Sequence, residues 1–229
     1  MTTTLITGAN KGLGKETARQ LIANGHTVWI AARDEARGRA AAKELGGRFV
    51  QLDVTDDASV ASAIATIEAD GGLDVLVNNA GIGLVALNGP DALKVFDTNA
   101  VGIVRVTEAA LPVLKRSDNA VVVNLSSALG SFWANHEPSR PASHFSAIVY
   151  AASKAAVSML TVQYARTVPE VKFNAVEPGY TATELGGTDP ATSGGRPVGI
   201  SARVIVRMAT IGKDGPTGTF QEDDVELAW

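Results

Sequence analysis

The sequence has no cysteine, only 5% aromatic residues and three histidines among its 229 residues. Without cysteine there is no disulfide, no thiolate nucleophile and no thiolate-bound metal, and the composition suits a reducing cytoplasm. No run of about 18 apolar residues occurs, and the first residues lack a secretory signal pattern, so no membrane span is expected. The net charge of −4 offers no basic surface for nucleic acid or anionic lipid. These absences favour a cytoplasmic location and argue against nucleic acid and membranes as partners.

Short β-rich segments alternate with Ala-rich helical segments along most of the chain. The predicted strands are 3–7, 27–31, 48–52, 74–77, 120–125 and 172–176, with a last short strand near Phe220, and the predicted helices are 13–24, 35–45, 57–70, 90–115 and 149–167. The strands are nearly continuous apolar runs, which is typical when both faces are covered. The pattern predicts an α/β, single-domain Rossmann fold over 1–229, with a doubly wound, mostly parallel sheet of about seven strands and helices on both faces. An insert at about 131–148 and a loop at about 181–199 break the alternation.

A glycine-rich turn follows the first predicted strand and opens the first predicted helix. It reads Thr7-Gly8-Ala9-Asn10-Lys11-Gly12-Leu13-Gly14. Glycines there permit a tight turn and close approach of a ligand to the backbone, and the N–H groups at a helix start favour phosphate. The spacing Gly-x3-Gly-x-Gly differs from the common dinucleotide fingerprint. The segment indicates nucleotide binding, with a glycine-rich turn that binds no ligand as the alternative.

Charged residues at the ends of the next two strands bear on which nucleotide would bind. Arg33 follows the second strand and Lys11 lies in the glycine-rich turn, so both cations are expected near a 2′-phosphate, which favours NADP(H). Asp34 competes with this interpretation, because a carboxylate at this position bonds ribose hydroxyls and favours NAD(H). Asp53, after the third strand, is a candidate for the adenine amino group or, equally, a turn or capping aspartate. Each charge also has the simpler interpretation of a solvated surface residue.

Tyr150 and Lys154 are four residues apart in a predicted helix, which places both side chains on one face. A nearby ammonium favours the phenolate and is expected to lower the Tyr150 pKa from its ordinary value of about 10. The pair Ser126-Ser127 ends a strand-like segment upstream, and a serine hydroxyl there is expected to hold a carbonyl oxygen. The Tyr–Lys spacing is common on helix surfaces, so its significance depends on the adjacent nucleotide site.

Together these segments resemble the short-chain dehydrogenase/reductase family. The matching motifs are Thr7-Gly8-x-x-x-Gly12-x-Gly14, Asn78-Asn79-Ala80-Gly81, Asn99 in Asn99-Ala100-Val101-Gly102, Ser127, Tyr150-x-x-x-Lys154 and Pro178-Gly179. They run in order through almost the whole chain, and their combination is far more specific than any one motif. The turn with Asn10-Lys11, the segment Ala32-Arg33-Asp34 and the tail 215–218 resemble carbonyl-reductase-like, NADPH-dependent members in particular.

The resemblance implies reversible hydride transfer between NADP(H) and a small-molecule ketone, aldehyde or alcohol, with NAD(H) the less favoured cofactor. It implies that Tyr150 donates the proton and Ser127 bonds the carbonyl oxygen. Lys154 would lower the Tyr150 pKa and bond the nicotinamide ribose, and Asn99 would hold a water. The implied cofactor-binding residues are Gly8, Asn10, Lys11, Gly12, Leu13, Gly14, Arg33, Asp53, Val54, Asn79, Ala80, Gly81, Tyr150, Lys154, Pro178, Gly179, Thr181 and Thr183. The alternative function is a sensor or scaffold that binds NADP(H) without turnover.

The insert leaves the substrate and the oligomeric state open. It is longer than in most members of the family, and in related monomeric enzymes such an insert covers the helix face that pairs subunits elsewhere, so both monomer and homo-oligomer are retained as alternatives. The insert, segment 81–87 and loop 181–199 are expected to decide specificity. Phe132, Trp133 and Phe145 either line the substrate or dock the insert, with docking favoured for Phe145. No metal site is predicted, because His136 and His144 are irregularly spaced without a third ligand.

Overall fold

One mixed sheet organises the chain. A computed structural model describes residues 1–83, 88–187 and 189–229. The strands in these ranges are β1 (Thr3–Ile6), β2 (Thr27–Ala32), β3 (Arg48–Gln51), β4 (Val75–Asn78), β5 (Val121–Leu125), β6 (Lys172–Glu177), β7 (Phe220–Glu222) and β8 (Val225–Glu226). The helices are α1 (Gly12–Ala23), α2 (Glu35–Leu45), α3 (Asp57–Ala69), α4 (Gly89–Phe96), α5 (Gly102–Leu114), α6 (Phe132–His136), α7 (Ile148–Thr167) and α8 (Val198–Ala209). The strand order is β3-β2-β1-β4-β5-β6-β7-β8, and only the β7–β8 pair is antiparallel.

Both faces of the sheet are apolar, and each supports a hydrophobic core. Leu5 and Leu76 contribute to one core, whereas Ile6 and Val77 contribute to the other, because successive side chains of a strand point to opposite faces. Residues of α3 and α5 cover the first face, and residues of α1, α2 and α8 cover the second. This arrangement confirms the predicted α/β fold with a mostly parallel sheet and helices on both faces. In the described ranges, no helix is both long and apolar enough to cross a membrane.

Two elements at the carboxyl-terminal end were not predicted. The sheet has eight strands rather than about seven, because β8 adds a two-residue antiparallel pair that is too short to give a sequence pattern. Helix α8 begins at Val198, so the predicted loop 181–199 ends two residues early. Its buried residues Ala202, Ile205 and Met208 recur every third position, which is a helical pattern the sequence analysis did not use.

The long helix predicted over 90–115 is interrupted, and the insert has its own short helices. A π-helical turn, Asp97–Val101, separates α4 from α5, close to the predicted bend at Gly102. Gly102 lies against the turn after β3, since an added Cβ would be 3.0 Å from Val54. The insert contains α6 and a 3₁₀ turn, Pro141–His144, and its last residue is the first of α7.

Buried polar side chains tie the central strands to two helices. Asn78 on β4 donates through Nδ2 to Oδ1 of Asn124 on β5 at 2.9 Å and to Thr107 on α5 at 3.2 Å. Asn124 in turn donates to Thr161 on α7 at 2.9 Å. Breaking one such bond leaves a buried group unsatisfied at about 1–3 kcal/mol, so the network holds the position of α7 relative to the sheet. Helix α7 carries Tyr150 and Lys154.

Candidate active site

The motif residues meet at the carboxyl-terminal edge of the sheet. Strand β4 lies beside β1 although β2 and β3 come between them in the chain, so the direction of the crossovers reverses there. Parallel sheets open a ligand crevice at such a reversal. The glycine-rich turn leaves β1, Asn79 follows β4, Ser127 follows β5 and Pro178-Gly179 follows β6. Four segments that are distant in the sequence therefore border one crevice.

The glycine-rich turn brings backbone close to the side chain of Asn79. Gly8 and Gly12 have φ angles of 64° and 53°, a left-handed conformation that favours glycine. A Cβ on Gly14 would lie 2.4 Å from Nδ2 of Asn79, which donates to the carbonyl of Thr7 at 2.7 Å. Helix α1 begins at Gly12 within this segment, and its N-cap residue, Lys11, makes no side-chain capping hydrogen bond. The turn thus presents backbone N–H groups at a helix N-terminus, an arrangement that suits a phosphate.

Ser127, Tyr150 and Lys154 form one cluster. Ser127 caps the 3₁₀ turn after β5, and its side chain is near enough to Tyr150 on α7 to lower the pKa of the phenol. The Nζ atom of Lys154 lies 5.5 Å from the centre of the Tyr150 ring and donates to the carbonyl of Leu125 at 2.7 Å. Lys154 is only 5% exposed. A phenol, a hydroxyl and an ammonium group are thus held together at the edge of the sheet.

The pKa of Tyr150 departs from the sequence prediction. Burial is the largest influence and raises the pKa of Tyr150 above its ordinary value, and the nearby Glu177 carboxylate raises it further, while the Ser127 side chain lowers it. Burial lowers the pKa of Lys154 to about 8, against the opposing effect of Glu177. The net direction is therefore opposite to the expected one, because desolvation of the phenolate dominates. The lowering effect expected from Lys154 stays a prediction. Glu177, which ends β6, did not figure in the sequence analysis.

Asn99 is completely buried and its side chain is fully engaged. Its Oδ1 accepts from the N–H of Ile82 at 2.8 Å, and its Nδ2 donates to the carbonyl of Ile82 at 2.9 Å and to Ser153 Oγ at 3.0 Å. A Cβ on Gly81 would lie 3.3 Å from Asn99 Oδ1 and 3.8 Å from Lys154 Nζ, so the three residues are neighbours. The side chain of Asn99 ties the helix to the segment after β4, which leaves its backbone for contact with a water.

The carboxylates after β2 and β3 have local roles. Asp34 caps α2 by accepting from the N–H of Arg37 at 2.9 Å, which disfavours the alternative that it bonds a ribose. Asp53 accepts from the N–H and the hydroxyl of Thr55 at 3.0 and 2.7 Å, as a turn aspartate does. Its other oxygen lies 3.9 Å from Nε of Arg33, whose side chain is 82% exposed. Arg33 is thus available at the end of β2.

A cavity of about 410 Å³ lies between the glycine-rich turn and α2. Asn10, Lys11 and Arg37 line it, together with Glu184 from the loop after β6. Lys11 donates to Glu184 at 2.6 Å. Two further cations line this cavity, Lys15, which pairs with Glu44 at 2.8 Å, and Arg37, and neither was predicted from the sequence. The position of Arg37 four residues after Arg33, in the first turn of a helix, was the available signal.

The segment after β6 contacts both the glycine-rich turn and α8. Gly179 has a φ of 77°, and Thr181 Oγ1 lies 2.7 Å from its carbonyl and 2.8 Å from Oγ of Ser201 on α8. A Cβ on Gly12 would lie 3.5 Å from Cγ2 of Thr183. Pro178-Gly179, Thr181 and Thr183 therefore follow the crevice from β6 towards the start of α1.

Three of the predicted cofactor-binding residues, Leu13, Val54 and Ala80, present no polar side chain to a ligand. Leu13 packs against the core on the α1 side, and Val54 is buried in the opposite core. The carbonyl of Val54 accepts from Arg105 at 3.3 Å. Ala80 donates its N–H to the hydroxyl of Thr7 at 3.0 Å. Only backbone atoms of these residues are suitable for contact with a cofactor.

The insert presents aromatic side chains to solvent. Phe132 is 73% exposed and Phe145 is 60% exposed, with the Phe145 ring centre 6.2 Å from that of Tyr180. The preference for docking by Phe145 is not supported, because polar contacts attach the insert instead: Ser131 Oγ donates to the carbonyl of Ala228 at 2.7 Å. Of the segments expected to decide specificity, residues 84–87 and 188 lie outside the described part of the chain.

The two histidines of the insert bond to nearby backbone. His136 Nδ1 lies 2.7 Å from the carbonyl of Phe132, and His144 Nε2 lies 3.0 Å from that of Pro138. Among the residues that the structure describes, no group of three or more histidine, aspartate or glutamate side chains is arranged to hold a metal ion.

Comparison with known proteins identifies the family. The profile described as short chain dehydrogenase matches residues 2–193. The chain belongs to the short-chain dehydrogenase/reductase family, as the motifs indicated. It is an oxidoreductase of this family that acts on carbonyl or alcohol substrates, and an NAD(P) cofactor is typical of such enzymes.

Individual relatives cover nearly the whole chain. The short-chain dehydrogenase/reductase ATR10 of Stachybotrys chlorohalonatus is 34% identical over 242 residues, which span 95% of this chain and 87% of that protein. NADPH-bound carbonyl reductase from chicken superposes with a TM-score of 0.84 at 28% identity, covering 99% of this chain and 98% of the other. Salutaridine reductase from Papaver somniferum superposes with a TM-score of 0.82 at 25% identity, covering 98% and 100%.

Proposed function

We propose that the protein is an NADP(H)-dependent carbonyl reductase that converts a ketone or aldehyde to the alcohol, and that the reaction is reversible. The observation that carries the proposal is the cluster of Ser127, Tyr150 and Lys154 beside the glycine-rich turn at the carboxyl edge of the sheet. A hydrogen-bonding hydroxyl, a proton donor and a buried cation are the groups that carbonyl reduction requires from the protein.

Each of the three side chains has a distinct role in this proposal. NADPH, when bound, supplies the hydride. Tyr150 donates its proton to the carbonyl oxygen as negative charge develops there, and its raised pKa keeps that proton in place at neutral pH. Ser127 bonds the same oxygen and stabilises the charge. Lys154, with a pKa of about 8, is mostly protonated at pH 7 and supplies a positive charge next to the phenol.

The crevice fits a dinucleotide cofactor. The uncapped start of α1 suits a pyrophosphate, and the glycines before it leave room for close approach. Lys154 and Asn99 border Gly81 and are positioned for the nicotinamide side. Pro178-Gly179 and Thr181 extend along the same crevice. In this proposal one ligand contacts the predicted cofactor-binding residues, which come from six separate segments of the chain.

The 2′-phosphate of NADP(H) is proposed to bind among the cations after β2. Arg33 is exposed at the end of that strand, and Lys11 and Arg37 line the adjacent cavity. Asp34 caps α2 through Oδ1, which makes this carboxylate less available to a ribose and so disfavours NAD(H). The NADPH-bound carbonyl reductase from chicken supports the same preference by similarity. The pair Lys11–Glu184 must open for Lys11 to contact the phosphate.

The reductase proposal is tested by NADPH oxidation, followed by absorbance, with a panel of ketones, aldehydes and quinones. We expect turnover with at least one carbonyl class, no requirement for added metal, and slower turnover with NADH. The panel should be run with intact protein and with a blank lacking substrate. Tight NADPH binding without turnover on any substrate would reject the proposal and favour the alternative, a protein that binds NADP(H) as a sensor or scaffold.

Arg33→Ala is expected to weaken NADPH binding much more than NADH binding. Losing a charge-assisted contact with the 2′-phosphate costs about 1.5–3 kcal/mol, or roughly a 10- to 150-fold increase in the NADPH Kd. The measurement is the ratio of Kd values for the two cofactors by fluorescence titration. Arg39→Ala is the matched control, because Arg39 pairs with Glu35 and stacks on Phe49. An unchanged ratio in Arg33→Ala would remove Arg33 from cofactor selection.

A further inference from the structure

Glu177 is a buried carboxylate next to the proposed catalytic residues Ser127, Tyr150 and Lys154. It ends β6 and is only 6% exposed. One carboxylate oxygen accepts from the N–H of Ala128, and the other accepts from the N–H of Gly179 at 2.8 Å. The Ser127 side chain is near enough to the same carboxylate to lower its pKa. A single side chain therefore joins the turn that carries Ser127 to the turn that follows β6.

Glu177 has no cation to balance its charge at close range. Among the residues that the structure describes, no basic side chain lies within 4.0 Å of it, which is the distance of an ion pair. Burying an unpaired carboxylate is unfavourable, and burial accordingly raises the pKa of Glu177. The titratable side chains that interact with Glu177 are Tyr150 and Lys154 on α7, Arg196 before α8 and Glu222 on β7. A residue that only filled space in this position would not need to be charged.

We infer that Glu177 is a positioning residue of this active site, which clamps the Ser127 turn against the Gly179 turn and thereby holds the Ser127 hydroxyl beside Tyr150. The inference rests on the proposed function, since it assigns Glu177 a part in the same reaction. The clamp needs two acceptor oxygens, one for each backbone N–H. A carboxylate supplies both, whereas the amide of glutamine supplies one acceptor and would oppose the second N–H with a donor.

The clamp has a second consequence, which is electrostatic. A negative charge near Tyr150 disfavours the phenolate, and Glu177 contributes to the raised pKa of Tyr150. Reduction uses the protonated phenol and alcohol oxidation uses the phenolate. Removing the charge at Glu177 should therefore lower the pKa of Tyr150 and move the rise of oxidation rate to lower pH. Lys154, which Glu177 also influences, should lose some of its protonated fraction in the same variant.

The first test is a double-mutant cycle with Glu177→Gln and Ser127→Ala. If Glu177 acts through Ser127, Glu177→Gln alone should lower kcat for NADPH-dependent reduction by roughly 10- to 100-fold, with the NADPH Kd nearly unchanged. In the Ser127→Ala background the same change should have an effect below about threefold, because the group it positions is gone. Multiplicative effects of the two changes, or wild-type kcat in Glu177→Gln, would overturn the inference.

The second test follows pH. The rate of alcohol oxidation is expected to rise with pH, and in Glu177→Gln this rise should occur at lower pH than in the wild type. Ultraviolet titration of tyrosinate, which requires no turnover, should show the same shift for the transition that Tyr150→Phe removes. Glu108→Gln is the matched control, because Glu108 accepts from the hydroxyl of Tyr164 at 2.8 Å, at a different point of α7. Coincident curves for wild type and Glu177→Gln would count against the inference.

The outcomes separate this inference from the proposed function. A wild-type protein without turnover refutes the reductase, and the tyrosinate titration still decides whether Glu177 acts on Tyr150. A wild-type protein with turnover and an unaffected Glu177→Gln variant refutes only the inference. If Glu177→Gln does not fold, the cycle is measured with Glu177→Asp, which keeps the charge and withdraws the carboxylate by one methylene. The Glu177→Asp variant should have a lower kcat, and its rate of alcohol oxidation should rise at the same pH as in the wild type. An unchanged kcat would overturn the proposed clamp.

Discussion

Replacement of Tyr150 by phenylalanine is expected to lower kcat for carbonyl reduction by about 10³-fold, within the range that removal of a general acid produces. The change deletes one oxygen and keeps the ring, which lies beside Lys154. The backbone of the glycine-rich turn and the cations after β2 are untouched, so the NADPH Kd should stay within about threefold of the wild-type value. Steady-state kinetics and fluorescence titration on the same preparation measure the two quantities.

Tyr164→Phe provides the control for that experiment. It makes the same chemical change on the same helix, but the Tyr164 hydroxyl donates to Glu108 and its ring stacks on Phe173. Wild-type kcat is expected in this variant. If Tyr150→Phe kept most of the activity, Tyr150 could not be the proton donor, and a different group in the crevice would have to supply the proton.

Buried strands were predictable from the sequence, whereas a two-residue strand and a helix that follows a glycine-rich segment were not. The apolar stretches Val75–Val77 and Val121–Val123 predicted strands because burial on both faces leaves no polar position to confuse the pattern. Strand β8 has two residues and depends on pairing with β7, which no local pattern records. Helix α8 was missed because it follows a Gly-, Thr- and Pro-rich segment that was interpreted as a loop through 199.

The same distinction applies to the candidate site. Residues in motifs, such as Ser127 and Lys154, could be placed because their spacing carries information. Glu177 has no spacing partner, since its contacts at Ala128 and Gly179 come from separate turns that only the folded sheet brings together. The net direction of the Tyr150 pKa could not be predicted, because its largest influence is burial, which the sequence does not give. A charged residue at the end of an apolar strand, directly before Pro178-Gly179, was the available signal for Glu177.

The contact between the Ser127 turn and α7 leaves no room for a single added methyl group. Gly130 ends that turn, and a Cβ there would lie 2.5 Å from the backbone carbonyl carbon of Lys154, 2.7 Å from Ala155 N and 2.8 Å from Lys154 O. Backbone atoms in mid-helix cannot rotate away as a flexible side chain can. Gly130→Ala must therefore push the turn off the helix.

We expect Gly130→Ala to destabilise the fold by about 1–3 kcal/mol, as overpacking does, and to lower kcat of the folded protein by about 10²-fold. The second effect arises because Ser127 belongs to the displaced turn, whereas Tyr150 and Lys154 stay on the helix. Urea unfolding and kcat per folded molecule measure the two effects. Gly212→Ala is the control, since an added Cβ there meets no atom within 4 Å. Full activity in folded Gly130→Ala would mean that the separation of Ser127 from α7 does not govern the reaction, and the proposed role of Glu177 as a clamp would fail with it.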